Sequence, residues 1–411
     1  MKKVIIALFL GVLSFALTSC NPDPGGRDLD LWDESSSLYQ INYDKSTGQF
    51  SSDYSNVAFI EMTGDEFKVL NLTDIQIDNN SLLEINPKVM VFQQTLDELI
   101  NDVSPDLITV TGDFGDYGNC SASLVYISRI LDSRNIPFAV VFGNHDNEGN
   151  VIYSKASYLE GLSRSLFRAG PSNLAQIEES GDKTELPALG NYVVNVVKKD
   201  DSPEGFHLVR SFVFMNTGRD RFFTEEELLA DHAGERRFNT GSWGSLSAKQ
   251  IEWYKWAINS AKAYNSLVPS SLFVHIPIFE YVRAIGSAVK GAPDIYDFTN
   301  FYTYCRTISY EQSLTEEVWN EGFRDSFGVF HDSDLGCSDY DDFVFMAIKD
   351  LNSTDSVICG HDHTNNMVVN YQNVLLAYGT KTGIGSYHED GINGGTAIIF
   401  GEGKPTIQHY L

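Results

Sequence analysis

The stretch Gly143-Asn144-His145-Asp146 decides how the rest of this sequence is interpreted. It follows the apolar run 138–142, which is typical of a buried β-strand that ends in a loop. Asn supplies an amide oxygen, His a ligand nitrogen or a transferable proton, and Asp a charge that can orient the His. In an open α/β sheet, the loops beyond the carboxyl ends of the strands bind ligands. One such tetrapeptide is by itself more often a polar turn, so its interpretation depends on the other strand ends.

Four other predicted strands also end in residues that can bind a metal ion. Short apolar runs with turn signals after them predict these strands at residues 67–72, 107–110, 272–274 and 357–359. The residues that follow the strands are, in order, Asp74 and Gln76, Asp113, His275, and His361 with His363. Five strand ends therefore carry carboxylate, amide or imidazole groups, and the tetrapeptide is one member of a set.

Two amphipathic patterns link the first three strands. Asn86 and Pro87 predict the N-cap and first position of a helix, whose apolar face consists of Val89, Phe92, Leu96, Leu99 and Val103. The spacing of apolar residues between 124 and 131 predicts a second helix. This strand–helix–strand–helix–strand order, with short links, predicts right-handed crossovers and a parallel sheet. The expected fold class is therefore α/β, with the strand ends on one edge.

The C-terminal part of the chain predicts a different arrangement. Short apolar runs with glycine-rich turns predict an antiparallel flank, at residues 367–369, 374–378, 396–400 and 406–409. Before them, residues 280–350 form a long polar and aromatic insertion, which we expect to be a lid or a wall of the substrate site. The globular domain is expected to cover residues 61–411, with residues 21–60 as a tether or N-terminal extension.

Residues 1–20 predict an export signal that is not part of the fold. A pair of lysines opens the segment, and the apolar run from Val4 to Leu17 is too short for a comfortable membrane span. The sequence Leu-Thr-Ser-Cys that ends at Cys20 resembles the bacterial lipobox, so we expect a lipidated Cys20. The alternative is an ordinary secretory signal. The protein is therefore expected to be exported and lipid-anchored to a bacterial membrane, in the periplasm or at the cell surface.

The composition narrows the choice of partners. The chain has 411 residues, 42% of them hydrophobic, which is enough for a sizeable core. Its formal net charge of −27 argues against a protein that binds nucleic-acid polymers by bulk attraction, because phosphates would be repelled. A small phosphorylated substrate is compatible with this charge, since a bound metal ion is the largest local charge at its own site.

The cysteines after Cys20 do not favour a cysteine zinc site, because none of them has C-x-x-C spacing. An exported protein could oxidise its thiols, and a disulfide between Cys305 and Cys337 is one arrangement consistent with that. Cys359 lies in an apolar run and is expected to be a buried thiol.

The mixture of oxygen and imidazole ligands suits divalent Zn, Mn or Fe. The strand ends offer more ligands than one tetrahedral ion can use, and about the number that two ions need. Two ions a few ångströms apart can clamp a phosphate, activate a water and stabilise an in-line displacement. Each residue also has a structural alternative: Asp113 as a turn former, His275 as a satisfied core histidine, and His361 with His363 as exposed polar residues.

The ordered set of motifs resembles that of the calcineurin-like metallophosphoesterases, which include purple acid phosphatase-like and Mre11-like dimetal phosphoesterases. The pattern of that superfamily is D-x-H, G-D, G-N-H-D/E, a His after a strand, and G-H-x-H. The corresponding positions here are 74–76, 112–113, 143–146, 275 and 360–363. The resemblance covers residues 67–411 and implies a β-sandwich flanked by helices.

The resemblance also implies a role for each site residue. Asp113 would bridge two divalent ions, and the other ligands would form a first set of Asp74 and His363 and a second set of Asn144, His275 and His361. His145 would stabilise the transition state or protonate the leaving oxygen, and Asp146 would orient it. The implied cofactors are two divalent ions of Mn, Zn, Fe or Mg.

Gln76 departs from the pattern, which has His at that position. If Gln76 is a ligand, its amide oxygen shifts the first site toward Mn or Mg, and a water or Asp78 is the alternative ligand. The expected function is hydrolysis of phosphate esters, phosphomonoesters above all, by a metal-bound hydroxide. Two alternatives stay open: a phosphodiesterase acting on nucleotide or lipid-headgroup diesters, and a non-catalytic metal- or phosphate-binding surface lipoprotein.

Overall fold

A computed structural model of the chain describes residues 37–77, 87–115, 121–148, 152–169, 189–222, 241–332, 335–338 and 341–411. The predicted signal segment with Cys20, the first part of the tether, Asp78 and the N-cap Asn86 lie outside these residues. None of the helices in the described part of the chain has the length and apolarity needed to cross a membrane.

The elements are numbered here in chain order. The strands are β1 (Ile41–Asp44), β2 (Gln49–Ser52), β3 (Val57–Glu61), β4 (Phe67–Leu72), β5 (Leu107–Val110), β6 (Phe138–Val140), β7 (Tyr192–Lys199), β8 (Phe206–Phe214), β9 (Asp220–Phe222), β10 (Gly241–Trp243), β11 (Ser270–Phe273), β12 (Thr354–Cys359), β13 (Val368–Tyr371), β14 (Val374–Tyr378), β15 (Gly395–Phe400) and β16 (Thr406–Tyr410). The helices are α1 (Pro87–Val103), α2 (Ser121–Ser133), α3 (Ile152–Glu160), α4 (Ala248–Tyr264), α5 (Glu280–Ala288), α6 (Phe298–Cys305), α7 (Tyr310–Ser313) and α8 (Val344–Leu351).

The predicted βαβαβ unit forms three neighbouring strands, ending at the edge strand β6, of a five-stranded sheet of order β16-β15-β4-β5-β6. β4, β5 and β6 are parallel, and α1 and α2 make the crossovers between them. The five residues predicted for the apolar face of α1 are the five that are buried on that helix. β15 and β16 add antiparallel strands beyond β4, which confirms part of the predicted antiparallel flank.

A second sheet has seven strands in the order β13-β14-β12-β11-β8-β7-β3. β11 lies parallel to both β8 and β12, and β14 lies parallel to β12. β13 pairs antiparallel with β14 at the edge. The predicted C-terminal strands are therefore divided between the two sheets, because β13 and β14 join this sheet while β15 and β16 join the other.

The two sheets pack face to face, and β8 shows how alternation builds the layers. Phe212 and Phe214 point toward the five-stranded sheet, where the ring centroid of Phe212 lies 5.1 Å from that of Phe400. Val213, between them, packs on the opposite side with residues of α4 and α5. The predicted fold class is confirmed: a mixed α/β fold in which helices flank a β-sandwich.

The predicted insertion, residues 280–350, contributes to the outer core. Tyr281 of α5, Trp319 and Phe330 are all buried there against the seven-stranded sheet and its helices. The expected disulfide is wrong: Cys305 and Cys337 are buried thiols that form no bridge with each other. Burial of both side chains in an apolar cluster accounts for these thiols without a covalent link.

Candidate metal centre

The predicted site residues come from the ends of strands in both sheets, and these ends meet at one edge of the sandwich. Hydrogen bonds join neighbouring strand ends within each sheet, and one to the Asp74 side chain joins the two sheets. The amide of Asp74 donates to Gly112 O at 3.1 Å, the amide of Gly360 donates to His275 O at 3.0 Å, and the amide of His361 donates to Asp74 Oδ2 at 3.0 Å. The structure therefore brings together six of the predicted ligands, namely Asp74, Asp113, Asn144, His275, His361 and His363.

Three side chains of the predicted second set converge on one point. Asn144 Oδ1 lies 2.9 Å from His275 Nε2 and 2.9 Å from His361 Nδ1. Asp113 Oδ2 lies 3.5 Å from the same nitrogen of His275. Because the carbonyl oxygen of Thr111, 2.6 Å from His275 Nδ1, can only accept, Nδ1 carries a proton, and Nε2 is the nitrogen that can offer a lone pair once it is deprotonated. This arrangement fits a divalent ion held by one amide oxygen, one carboxylate and two imidazoles.

The predicted first set forms a second cluster beside it. Ligand atoms of Asp74, Asp113 and His363 all lie within 4.8 Å of one another, and all three side chains are buried. Asp74 Oδ1 is buried without a hydrogen-bond partner, 3.5 Å from His363 Nε2. His363 Nδ1 lies 3.0 Å from Tyr387 O, which leaves Nε2 as the acceptor. An orphaned carboxylate oxygen beside an imidazole lone pair fits a bound cation, since a buried polar atom without a partner is costly.

The backbone is strained where it delivers these ligands. Asp74, Gln76, Asp113 and His361 have φ values of 50°, 48°, 55° and 79°, in the left-handed region that non-glycine residues seldom occupy. Such conformations cluster at functional sites and persist only where the surroundings hold them. Gly143 is required because a Cβ atom there would run into the Asp113 carboxylate. The backbone conformation at these strand ends therefore follows from the requirements of the site and not from the intrinsic conformational preferences of the residues.

Asp146 holds two of these loops together. Its Oδ2 accepts from the amides of Asp113 and Gly143, both at 2.8 Å, and its Oδ1 accepts from the amide of Phe114 at 3.2 Å. Burial, and then the charge of Asp113, raises the pKa of Asp146 to about 6. These contacts position Asp113, while the predicted role of Asp146 in orienting His145 stays a prediction.

The carboxylate that the structure places against His145 is that of Glu148. His145 Nδ1 lies 3.0 Å from Glu148 Oε1, and His145 Nε2 lies 3.9 Å from Asp113 Oδ2. The amide of His145 donates to Asp113 Oδ1 at 3.0 Å. The sequence argument did not include Glu148, although an acidic residue three positions after the histidine was a signal that could have identified it.

The charges at the metal centre perturb one another strongly. Burial alone would lower the pKa of His275, but the Asp113 carboxylate, followed by that of Asp74, raises it to about 9. Burial, and then the charge of His275, lowers the pKa of His361 to about 3. Burial acts to raise the pKa of Asp74, yet the close approach of His363 and the nearby positive charges hold it far below its usual range. Buried titratable groups with opposed shifts are typical of functional sites.

Gln76 is also present at the centre, where its amide oxygen contacts Lys381. Gln76 Oε1 accepts from the ammonium of Lys381 at 2.8 Å, and Gln76 Nε2 lies 3.4 Å from Asp113 Oδ2. The amide oxygen of Gln76 is therefore occupied by Lys381, and the role of Gln76 as a metal ligand stays a prediction. The sequence argument missed Lys381, and its signal was a lone charge in the small-residue run Gly-Thr-Lys-Thr-Gly after β14.

Two aromatic residues that the sequence argument did not include flank the imidazoles. The ring of Trp243 lies edge-on to that of His361, with centroids 4.6 Å apart. The ring of Tyr387 stacks on that of His363, with centroids 4.1 Å apart. Both aromatic side chains are exposed, at 39% and 53%. They therefore form part of the surface that a ligand would meet at the centre.

Comparison with known proteins relates the chain to phosphatases. It is 25% identical over 303 residues to an Arabidopsis thaliana protein named "Probable inactive purple acid phosphatase 28", covering 71% of this chain and 62% of that one. It is 23% identical over 319 residues to the phosphatase DCR2 of Saccharomyces cerevisiae, covering 73% of this chain and 44% of that one. The chain therefore spans less than two thirds of the length of either relative.

Solved structures and a family model were compared as well. A dimetal phosphatase from Danio rerio is 12% identical with a TM-score of 0.44, and the match covers 84% of this chain and 99% of that one. The family model described as calcineurin-like phosphoesterase matches residues 67–257. That segment contains β4, β5 and β6 and the residues Asp74, Asp113 and Asn144 that follow them. Residues 67–257 of the chain therefore match a calcineurin-like phosphoesterase domain.

Proposed function

We propose that this protein is a dimetal-dependent phosphoesterase that hydrolyses phosphomonoesters. The observation that carries the proposal is the convergence of Asn144 Oδ1, His275 Nε2 and His361 Nδ1 within 2.9 Å contacts, beside a second cluster that contains an orphaned oxygen of Asp74. The match of residues 67–257 to a phosphoesterase family model supports the same reaction class. The names of two relatives also contain the word phosphatase, although one of them is named as probably inactive.

The two clusters define which residues would hold each ion. Asp74, Asp113 and His363 would hold the first, and Asp113 with Asn144, His275 and His361 would hold the second. When bound, two such ions supply positive charge to the phosphoryl oxygens and lower the pKa of a water molecule. Thr111 O and Tyr387 O keep the protons of His275 and His363 on Nδ1, so that each Nε2 stays available as a ligand.

The remaining residues of the centre would donate a proton or hold other side chains in position. His145 is partly exposed, with 14% of its side chain accessible, and its Nε2 faces the Asp113 carboxylate. A protonated His145 can donate a proton to the leaving oxygen of an ester bound at the centre. Glu148 orients the ring of His145 through Nδ1, and Asp146 positions Asp113 through three backbone amides.

Hydrolysis of a synthetic monoester and its bis ester tests the proposal. The purified protein is incubated with p-nitrophenyl phosphate or bis(p-nitrophenyl) phosphate and with added Mn²⁺, Zn²⁺, Fe²⁺ or Mg²⁺. We expect metal-dependent turnover, faster for the monoester, that is abolished by a chelator and by Asp113→Asn. Faster turnover of the bis ester would assign a phosphodiesterase, and tight metal binding with no turnover of either ester would assign a non-catalytic binding protein.

We also propose that the protein is exported and anchored to a bacterial membrane through a lipidated Cys20. The support is the sequence of residues 1–20, with its positive start, short apolar run and lipobox-like end. Cys20→Ala is expected to move the protein from the detergent phase to the aqueous phase in a partition experiment. Cys359→Ala removes a buried thiol instead and should leave partitioning unchanged. Retention of the Cys20→Ala variant in the detergent phase would contradict the proposal.

A further inference from the structure

A buried ammonium group lies beside the first metal position. Lys381 is 1% exposed, and its Nζ donates to the main-chain oxygen of Asp74 at 2.7 Å and to Gln76 Oε1 at 2.8 Å. Lysine is almost never fully buried unless its charge is compensated. Here the compensation comes from two oxygen atoms of the loop that carries Asp74. The Lys381 charge also helps to lower the pKa of Asp74, against the opposing effect of burial and after the larger effects of the histidines.

The segment around Lys381 is fastened to the loop of Asp74. The amide of Thr382 donates to Thr73 O at 2.9 Å, and the amide of Thr73 is 3.2 Å from Thr382 Oγ1. Gly383 packs so closely that a Cβ atom there would run into the backbone of residue 75. The ammonium is therefore held at a fixed place, and its contact with Gln76 is not the chance position of a long, flexible side chain.

The contact with Lys381 also fixes the orientation of the Gln76 amide. An ammonium group has three donors and no acceptor, so the amide oxygen and not the NH₂ group must face Nζ. The NH₂ group then points toward Asp113 Oδ2, at 3.4 Å. An NH₂ group cannot bind a metal ion, and the amide oxygen already has a partner. Gln76 is therefore withheld from the ligand cluster of Asp74, Asp113 and His363.

Lys381 also changes the charge balance of the first position. Asp74 and Asp113 supply two negative charges, which one divalent ion neutralises. A buried ammonium adds a positive charge that a histidine ligand would not add, and like charges in a poorly solvated site repel strongly. Binding of a second divalent ion therefore meets both a missing ligand and an added repulsion.

We propose that Lys381 makes the two metal positions unequal: it withholds Gln76 from the first position and weakens divalent-ion binding there. This inference rests on the dimetal centre of the proposed function and adds a residue that sets the metal affinity of one half of it. The second position, built from Asn144, His275 and His361, has no such neighbour among its described contacts and keeps the tighter ion.

Calorimetric titration of the metal-free protein with Mn²⁺ tests the proposal without any measurement of activity. Wild type is expected to bind one ion tightly and one weakly. Lys381→Met should lower the Kd of the weaker site by about tenfold or more, because the repelling charge is removed and the Gln76 oxygen is released. His363→Ala should abolish the weak class, which assigns it to the first position. Lys262→Met removes an ammonium that donates to Leu351 O, outside the site, and should change neither class.

Two further measurements distinguish a variant that does not fold from a proposal that is wrong. The thermal midpoint of each metal-free variant shows whether it folds, and Lys381→Gln offers a neutral side chain that keeps a donor for Asp74 O if the Met variant does not fold. Two equally tight sites in wild type, or a weak class unchanged in both neutral variants, would overturn the role of Lys381 and leave the dimetal centre standing. An absence of Mn²⁺ binding in wild type would overturn the metal centre itself and this inference with it.

Discussion

His145 Nδ1 lies 3.0 Å from Glu148 Oε1, three residues further along the same loop. A carboxylate accepts the Nδ1 proton, so the ring is held with Nε2 toward Asp113 Oδ2, 3.9 Å away. The nitrogen that faces the candidate metal centre is therefore the one that can exchange a proton there. The first two predictions concern this pair.

Replacement of His145 should remove proton donation while the metal centre is kept. We expect His145→Ala to bind both ions as wild type does and to lower kcat by about 10²–10⁴, the usual size of a general acid–base contribution. Metal content and p-nitrophenyl phosphate turnover are measured on the same preparation. Loss of metal together with activity would instead identify His145 as a ligand.

Replacement of Glu148 should lower kcat less than replacement of His145 does, because the imidazole remains and only its hydrogen-bond partner changes. We expect Glu148→Gln to lower kcat by about tenfold, with KM little changed, since the amide oxygen can still accept from Nδ1 but carries no charge. Glu98→Gln, on the exposed side of α1, is the matched control and should leave kcat unchanged. A Glu148→Gln variant with the kcat of wild type would remove Glu148 from the proton-transfer pair.

Replacement of Asp146 should lower the stability of the protein. Asp146→Ala leaves the buried amides of Asp113, Phe114 and Gly143 without their acceptor. An unsatisfied buried donor costs about 1–3 kcal/mol, so we expect the free energy of unfolding of the metal-free protein to fall by about 3 kcal/mol or more. Urea unfolding measures the loss. Asp65→Ala removes a fully exposed carboxylate and should change the stability by less than about 0.5 kcal/mol.

The raised pKa of His275 predicts a pH dependence of metal binding. In the metal-free protein, burial is outweighed by Asp113 and Asp74, and the pKa of His275 stands at about 9, above its ordinary value of 6.5. The extra proton stabilises the metal-free fold fully below about pH 6.5, and this stabilisation is lost as the pH rises through about 9. A metal ion must displace that proton, so its affinity should rise with pH up to about 9.

Calorimetry between pH 6.5 and 8.5, in buffers with different ionisation enthalpies, counts the protons released on binding. We expect about one proton from His275 for the tighter ion at the lower end of this range. His275→Gln should lose most of the pH dependence together with much of the affinity. An affinity that does not vary with pH would show that His275 is already neutral before the metal ion binds.

Local sequence pattern predicted the first half of the fold well. The apolar spacing of residues 87–103 predicted the buried face of α1, and the three parallel strands lie where their apolar runs placed them. Six predicted ligands meet because residues that directly follow parallel strands all lie at the carboxyl edge of the sheet. Such features depend on residues close together in the sequence, so they can be predicted without knowledge of the fold.

The partners of those ligands could not be predicted in the same way. Gln76 and Lys381 are separated by 305 residues, and their contact sets the orientation of the Gln76 amide. The division of β13 to β16 between two sheets likewise depends on which strands were left to pair, which no local pattern records.

The sequence by itself therefore determined which residues stand at the strand ends, because strand, turn and amphipathic helix are properties of adjacent residues. Only the tertiary structure decided that Glu148 contacts the ring of His145, that Asp146 accepts from backbone amides, and that Lys381 contacts Gln76. The physical reason is that hydrogen bonds and charges act over a few ångströms in space, whatever the separation along the chain.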